Sequence, residues 1–242
     1  MIELADVRKH YEGRLVLDGV SLRIGRSEFV ALVGPSGAGK TTLLKAINRL
    51  AEIDGGTVTI DGVDGSPSAI RRRIGYVFQG IGLFPHMTVA ENIGLVPKLT
   101  GGETKIDELL DLVALPLELA SRYPAQLSGG QAQRVGVARA LAAEPAIVLM
   151  DEPFGALDPV TRAELGQAYR ALHERMGLTT VMVTHDLAEA LLLADRVVVL
   201  SQGRIAADLP PKELVHYTGD PAIAAMIATV RAQADRLEEL AR

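Results

Sequence analysis

The run Gly34-Pro35-Ser36-Gly37-Ala38-Gly39-Lys40-Thr41, followed by Thr42, fits the spacing G-x-x-x-x-G-K-[ST]. Its glycines let consecutive backbone N–H groups turn inward as an anion nest, and a helix starting there adds its N-terminal partial positive charge. Lys40 can reach the β- and γ-phosphates of a nucleotide, and the Thr41 hydroxyl can ligate Mg2+. A second stretch, Ile147-Val148-Leu149-Met150, is apolar and ends in two carboxylates, Asp151 and Glu152. A buried strand would deliver Asp151 to a sheet edge beside the metal and leave Glu152 where a general base could polarise an attacking water. A Gly-rich turn or an acidic strand end is common alone. Together, in strand–loop–helix and strand–acid contexts, they point to hydrolysis of a nucleotide.

Those residues need a scaffold, and the hydrophobic periodicity supplies one. Ile2/Leu4, Leu15/Leu17 and Val20/Leu22/Ile24 alternate as half-buried strands, with breaks expected at Gly13, Gly19 and Gly25. Phe29–Val33 is continuously apolar and runs into the Gly-rich loop. Leu43, Leu44, Ile47 and Leu50 then fall at helical spacing, followed by strands over Thr57–Ile60 and Ile74–Phe78. From about Thr88 to Ser121 the pattern predicts short helices and no strand, punctuated by Pro85, Pro97, Pro116 and Pro124. Beyond it a helix is expected over Gln131–Ala143, a strand over Ile147–Asp151, a helix over Pro159–Arg175, a strand over Thr179–Thr184 and a helix over Leu187–Leu193. Alternating β and α implies parallel strands with helical crossovers. The expected fold is α/β: a core with a parallel central sheet, an N-terminal antiparallel β subdomain and an inserted α-helical subdomain. Pro210–Leu214 reads as a turn into a helix. In the tail from Asp220, Ile223, Met226, Ile227, Val230, Leu237 and Leu240 share one helical face, which packs on its own domain or on another subunit.

Leu127-Ser128-Gly129-Gly130-Gln131, ahead of a helix start, resembles the signature motif of the ATP-binding-cassette (ABC) ATPases. The resemblance extends along residues 1–214. It implies the P-loop ATPase fold, with residues 1–87 and 145–214 forming the core and β subdomain, 88–144 a helical subdomain carrying the signature, and 215–242 a C-terminal helical tail. Gly34–Thr42 would bind ATP with Mg2+, and Thr41, Gln79 and Asp151 would hold the metal. Tyr11 stands where the family has an aromatic stacking on adenine, although a lone tyrosine in an early strand is otherwise a core residue. Gln79 resembles the glutamine that contacts Mg2+ and water and senses the membrane partner. Glu152 takes the place of the catalytic base, and His185 that of the switch histidine on the γ-phosphate. Ala156-Leu157-Asp158 resembles the loop that crosses the dimer interface. In this family Ser128, Gly129, Gly130 and Gln131 face ATP held by the opposite subunit. One loop and one signature therefore imply a working dimer, with an identical chain or with a second cassette.

A narrower likeness concerns Gly82–Ile93 with Gly94–Leu99, Ile47–Leu50, Tyr123–Gln126 and Phe154–Pro159. These runs are similar to the importers of quaternary-amine osmoprotectants such as glycine betaine, choline and carnitine. The resemblance implies transmembrane permease subunits as direct partners, gripped by the Phe84–Ile93 segment and the helical subdomain. It implies a solute-binding protein as an indirect partner. Another small polar solute, such as an amino acid, is the alternative cargo, and a soluble non-transport ABC ATPase the more distant reading. Two departures stand out: Gly80 follows Gln79 where members often have a second glutamine, and the sequence stops at Arg242 with no room for paired regulatory domains, so sensing through such domains is not expected.

Composition narrows the classes. Of 242 residues, 48% are hydrophobic and 23% charged, which excludes a disordered chain. Twenty-five basic against 30 acidic residues give a net charge of −5, which counts against a nucleic-acid partner. Without cysteine there is no disulfide, thiolate metal site or thiol redox chemistry. No secretory signal and no apolar stretch of roughly 18 residues is found, so the expected place is the cytoplasmic face of a membrane, held there through permease subunits. Arg71-Arg72-Arg73 reads as a solvated face, with a permease or lipid contact as the alternative. The five histidines show no zinc-binding spacing.

Overall fold

The computed structural model describes residues 1–62, 66–80 and 82–240, apart from the side chains of Ala69 and Leu237. Strands β1 (Ile2–Tyr11), β2 (Arg14–Ile24) and β4 (Gly55–Ile60) form an antiparallel sheet in the order β2-β1-β4. A six-stranded sheet is built from β3 (Phe29–Val33), β5 (Ile74–Val77), β6 (Ile147–Asp151), β7 (Thr179–Val183), β8 (Arg196–Ser201) and β9 (Arg204–Leu209). Its order is β5-β6-β7-β3-β8-β9, parallel throughout except that β9 runs antiparallel to β8.

The helices are α1 (Lys40–Ile47), α2 (Pro67–Arg71), α3 (Val89–Thr100), α4 (Ile106–Leu112), α5 (Gly129–Leu141), α6 (Pro159–Met176), α7 (Leu187–Leu193), α8 (Pro211–Leu214) and α9 (Pro221–Leu240). Both faces of the central strands are covered, which explains their unbroken apolar runs. Phe29, Ala31 and Val33 enter the cluster that also holds Val135, Leu165 and Leu193 of α5, α6 and α7. Val30 and Leu32 enter the cluster with Leu43 and Leu44 of α1 and Leu4 and Leu22 of the three-stranded sheet.

The register fixes the site. Val183 pairs with Leu32 on one side and with Asp151 on the other, so β6, β7 and β3 end side by side. The loop after β3, the acids at the end of β6 and the turn after β7 thus share one carboxyl edge, where open α/β sheets carry ligands.

The α/β class, the antiparallel N-terminal sheet and the strand-free stretch from Thr88 to Ser121 agree with the sequence reading. Three local expectations do not hold. Gly19 does not break β2; with φ 70 it sits within the strand, where the β1–β2 register shifts between Val7 and Lys9, so the glycine serves a bulge. Pro97 lies inside α3 and does not end it; the helix runs on to a left-handed cap at Gly101, and its start is held by a capping box between Thr88 and Glu91. In α9, Ile223 and Ile227 are buried, but Leu240 is exposed, so the face that packs is confined to the first half of the helix; the Leu237 side chain lies outside the described residues.

Candidate functional site

The Gly-rich loop lines a cavity of about 800 Å³ together with Tyr11, Gln79, Glu152 and Gln202. Gly39, at φ 102, is where the loop enters α1, and a Cβ there would stand 2.8 Å from the Val16 carbonyl oxygen. Both the backbone conformation and the space therefore demand glycine at this position. Lys40 Nζ donates to the carbonyls of Gly34 at 2.7 Å and Pro35 at 3.0 Å, folding the side chain back over the loop. Burial pulls the Lys40 ammonium below its ordinary pKa, while the nearby Glu152 and Asp151 charges pull the other way. A desolvated ammonium and a ring of backbone donors form a cradle for a polyanion.

Opposite it, the Thr41 hydroxyl donates to Asp151 Oδ1 at 2.9 Å. Burial pushes the Asp151 carboxyl above the usual carboxylate range, against the Thr41 hydrogen bond and the Lys45 charge. This pair suits a divalent cation, whose charge would offset the burial of the carboxylate. Among the described residues no group of three or more His, Cys, Asp or Glu could hold a metal. A cation here would therefore take most of its ligands from phosphate and water, as Mg2+ does.

Glu152 adopts φ 49, a left-handed conformation that costs a non-glycine residue about 1–3 kcal/mol. Its N–H donates to Val183 O at 2.9 Å and its carbonyl accepts from Gln133 Nε2 at 2.8 Å, so neighbouring elements hold the strained residue from both sides. Its Oε2 lies 3.5 Å from Nδ1 of His185, which follows β7. Tyr11 is 46% exposed, with Lys9 Nζ 5.2 Å from its ring centroid.

The remaining residues singled out from the sequence lie elsewhere. Ser128 caps α5, accepting from the Gln131 N–H at 3.2 Å while Gln131 Oε1 accepts from the Ser128 N–H at 2.9 Å. Ser128, Gly129, Gly130 and Gln131 are absent from the lining of the cavity. Leu157 is buried against Gly130, and the Asp158 carboxylate caps α6 by accepting from Val160 and Thr161 N–H. The Thr161 side chain, together with those backbone bonds, holds the Asp158 carboxyl below its ordinary range. Of the three consecutive arginines, Arg73 pairs with Asp61, Arg71 donates to the Arg49 carbonyl, and Arg72 borders a groove.

That groove, a cavity of about 460 Å³, is lined by Ile74, Tyr76, Phe78, Phe84, Leu95 and the buried Arg139, among others. Asn92 clamps the Phe84–Thr88 turn, accepting from Phe84 N–H and donating to the carbonyls of Phe84, Met87 and Thr88. Arg139 Nη1 donates to the Gly82 carbonyl at 2.7 Å.

Sequence reasoning overlooked Arg14, Gln202 and Gly203, which line the phosphate cavity, and Gln133. The turn Ser201-Gln202-Gly203 follows the continuous apolar run Val197–Leu200 and marks the β8–β9 hairpin only once the partner strand is recognised.

Loop, acid pair and buried lysine on one strand edge suit a phosphate group, and the comparisons say to which family such a site belongs. The ABC transporter profile matches residues 17–155. The chain belongs to the ABC transporter family. The cassette is 47% identical over 240 residues to the choline transport ATP-binding protein OpuBA of Bacillus subtilis (strain 168), covering 96% of this chain and 63% of that protein. It is 52% identical over 214 residues to the sulfate/thiosulfate import ATP-binding protein CysA of Mesorhizobium japonicum, covering 84% of this chain and 62% of that protein. The chain thus spans about six tenths of the length of these curated relatives. Among solved structures, a dimeric ATP-binding cassette in a post-hydrolysis state bound to ADP and Pi superposes with a TM-score of 0.82 at 36% identity, covering 87% of this chain and 99% of that one. No helix among the described residues is long and apolar enough to cross a membrane.

Proposed function

We propose that this cassette is the ATP-hydrolysing subunit of an ABC importer, working at the cytoplasmic face of a membrane through permease subunits. One observation carries the reading. The cavity holds the Gly-rich loop, Gln79 and Glu152, while the capped Ser128–Gln131 turn, exposed at Ser128 and Gly129, lies outside it, so each chain offers two complementary halves of a site. A second copy, or a second cassette, would bring its signature onto the nucleotide. In this reading the domain division follows the elements: residues 1–87 and 145–214 form the core with its β subdomain, 88–144 the helical subdomain, and 215–242 the tail. The groove beside Phe84 would take a cytoplasmic helix of the permease.

Within the composite site the N–H groups of Ser36–Gly39 and the Lys40 ammonium neutralise the phosphates, and Tyr11 stacks on the base. Thr41, Asp151 and Gln79 would hold Mg2+, which supplies charge neutralisation of the β- and γ-oxygens when bound. Glu152 accepts the proton of the attacking water, and His185, whose Nδ1 lies 3.5 Å from its carboxylate, holds the γ-phosphate. The chain contributes positioning and electrostatics and forms no covalent intermediate.

A quaternary-amine osmoprotectant is the proposed cargo, supported by the 47% identity to the choline transport protein over 96% of this chain. A sulfate-like anion is the second reading, favoured by the higher identity over a shorter span. Uptake of labelled choline against labelled sulfate, by vesicles holding the cassette with its permease, separates the two.

The Glu152→Gln variant tests the enzymatic reading. It should bind ATP, accumulate as a dimer on gel filtration, and hydrolyse at least about a hundredfold more slowly, as loss of a general base does. Turnover at the wild-type rate would remove Glu152 from the role of base.

A further inference from the structure

Gln133 lies in the second turn of α5 and is 6% exposed. Both ends of its amide are engaged by the turn that follows β6. Nε2 donates to the Glu152 carbonyl at 2.8 Å, and Oε1 accepts from the Ala156 N–H at 3.0 Å. Three residues earlier, on the same helical face, Gly130 stands against Leu157, where an added Cβ would come within 3.1 Å of Leu157 Cδ2. The first two turns of α5 thus grip both ends of the turn from Glu152 to Leu157. Within that turn sits a residue in a strained left-handed conformation, φ 49, whose side chain faces the phosphate cavity.

We propose that Gln133 is a positioning residue that couples the two half-sites of one chain. When Ser128–Gly130 engage the phosphates held by the second copy, α5 shifts, and Gln133 passes that shift through the Glu152 carbonyl to the carboxylate in the chain's own cavity. The proposal rests on the composite site described above. Hydrolysis at one site then depends on occupation of the other, so the wild-type cassette hydrolyses ATP cooperatively. A glutamine that only satisfied buried backbone groups would affect folding stability and leave cooperativity alone.

Steady-state hydrolysis by the full chain and by Gln133→Leu and Gln133→Glu tests the coupling, with nucleotide affinity measured separately by a fluorescent ATP analogue. Both variants should keep that affinity within about twofold, lose at least about tenfold in kcat, and show a Hill coefficient falling to one, because a small misplacement of a catalytic group costs rate and not binding. Gln133→Glu has a further signature. Its carboxylate can accept from Ala156 but cannot donate to Glu152, whereas its protonated form can do both. Activity relative to wild type at the same pH should therefore rise as the pH is lowered. Should Gln133→Leu not fold, Gln133→Glu decides.

A Hill coefficient of one in the wild type, or kcat and cooperativity unchanged in the variants, overturns the proposal. Amide exchange at Ala156 keeps two failures apart. Fast exchange in Gln133→Leu with unaltered hydrolysis means that the bond exists and transmits nothing. A wild-type chain that hydrolyses no ATP instead overturns the ATPase reading itself.

Discussion

Tyr11 presents a half-exposed ring to the cavity that holds the Gly-rich loop, with Lys9 near its ring. Stacking of a base on such a ring is worth about 1–3 kcal/mol by alanine substitution. Tyr11→Ala should therefore weaken ATP binding about tenfold by titration calorimetry, while Tyr11→Phe binds as wild type; unchanged affinity in the alanine variant would take the base away from Tyr11. At this scale the residues that bear chemistry announce themselves by type and spacing. Of the residues named from the sequence, Ser36–Thr42, Gln79 and Glu152 line one cavity with Tyr11. Gln133 could not be found that way, because its partners lie 19 and 23 residues along the chain and a buried glutamine in a helix has no local pattern.

Beneath the site, β7 and α6 share a buried polar cluster. Thr180 Oγ1 lies 2.8 Å from the Tyr169 hydroxyl and 3.0 Å from His173 Nδ1. Burial lowers the His173 pKa, with Arg170 adding to the effect and Asp195 and Glu174 opposing it. The folded chain therefore keeps this imidazole neutral, whereas the unfolded chain protonates it near pH 6.5. A group whose folded pKa is depressed in this way contributes its full stability above about pH 6.5, and that contribution declines as the pH falls toward the lower folded value. Chemical denaturation between about pH 7.5 and about pH 5.5, roughly a unit either side of the ordinary histidine value, should show stability falling with pH. His173→Phe should flatten that slope; an unchanged slope would place the acid sensitivity elsewhere. The strands of this region were legible because each is a short, mostly apolar run. β8 and β9 were not, since the run over Val197–Leu200 is equally compatible with a buried helix segment when no partner strand is recognised. The bulge at Gly19 and the helical Pro97 share a different cause: tertiary pairing overrode what each residue signals locally.

At the scale of the whole molecule, most strands and crossovers were readable from periodicity, but the proposed division of the site between two copies was readable only from the motifs. The geometry of one chain makes that division testable. Lys40 sits in the cavity, whereas Ser128 caps α5 outside it, so a defect in either should disable a different half of each composite site. In a Glu152→Gln background, neither Lys40→Ala nor Ser128→Arg alone should form an ATP-stabilised dimer, since every site in such a dimer carries the defect. Mixing the two variants creates one site with both defects and one with neither. The mixture should therefore yield dimers on gel filtration with about one nucleotide per two chains, less tightly held than the doubly occupied parent because only one set of bridging contacts remains. Recovery of a dimer by either variant alone would mean that the signature and the loop do not meet across an interface. Failure of the mixture, with each variant folded and the parent dimerising, would mean that both sites must close together. That outcome would in turn strengthen the case for Gln133 as the link between them.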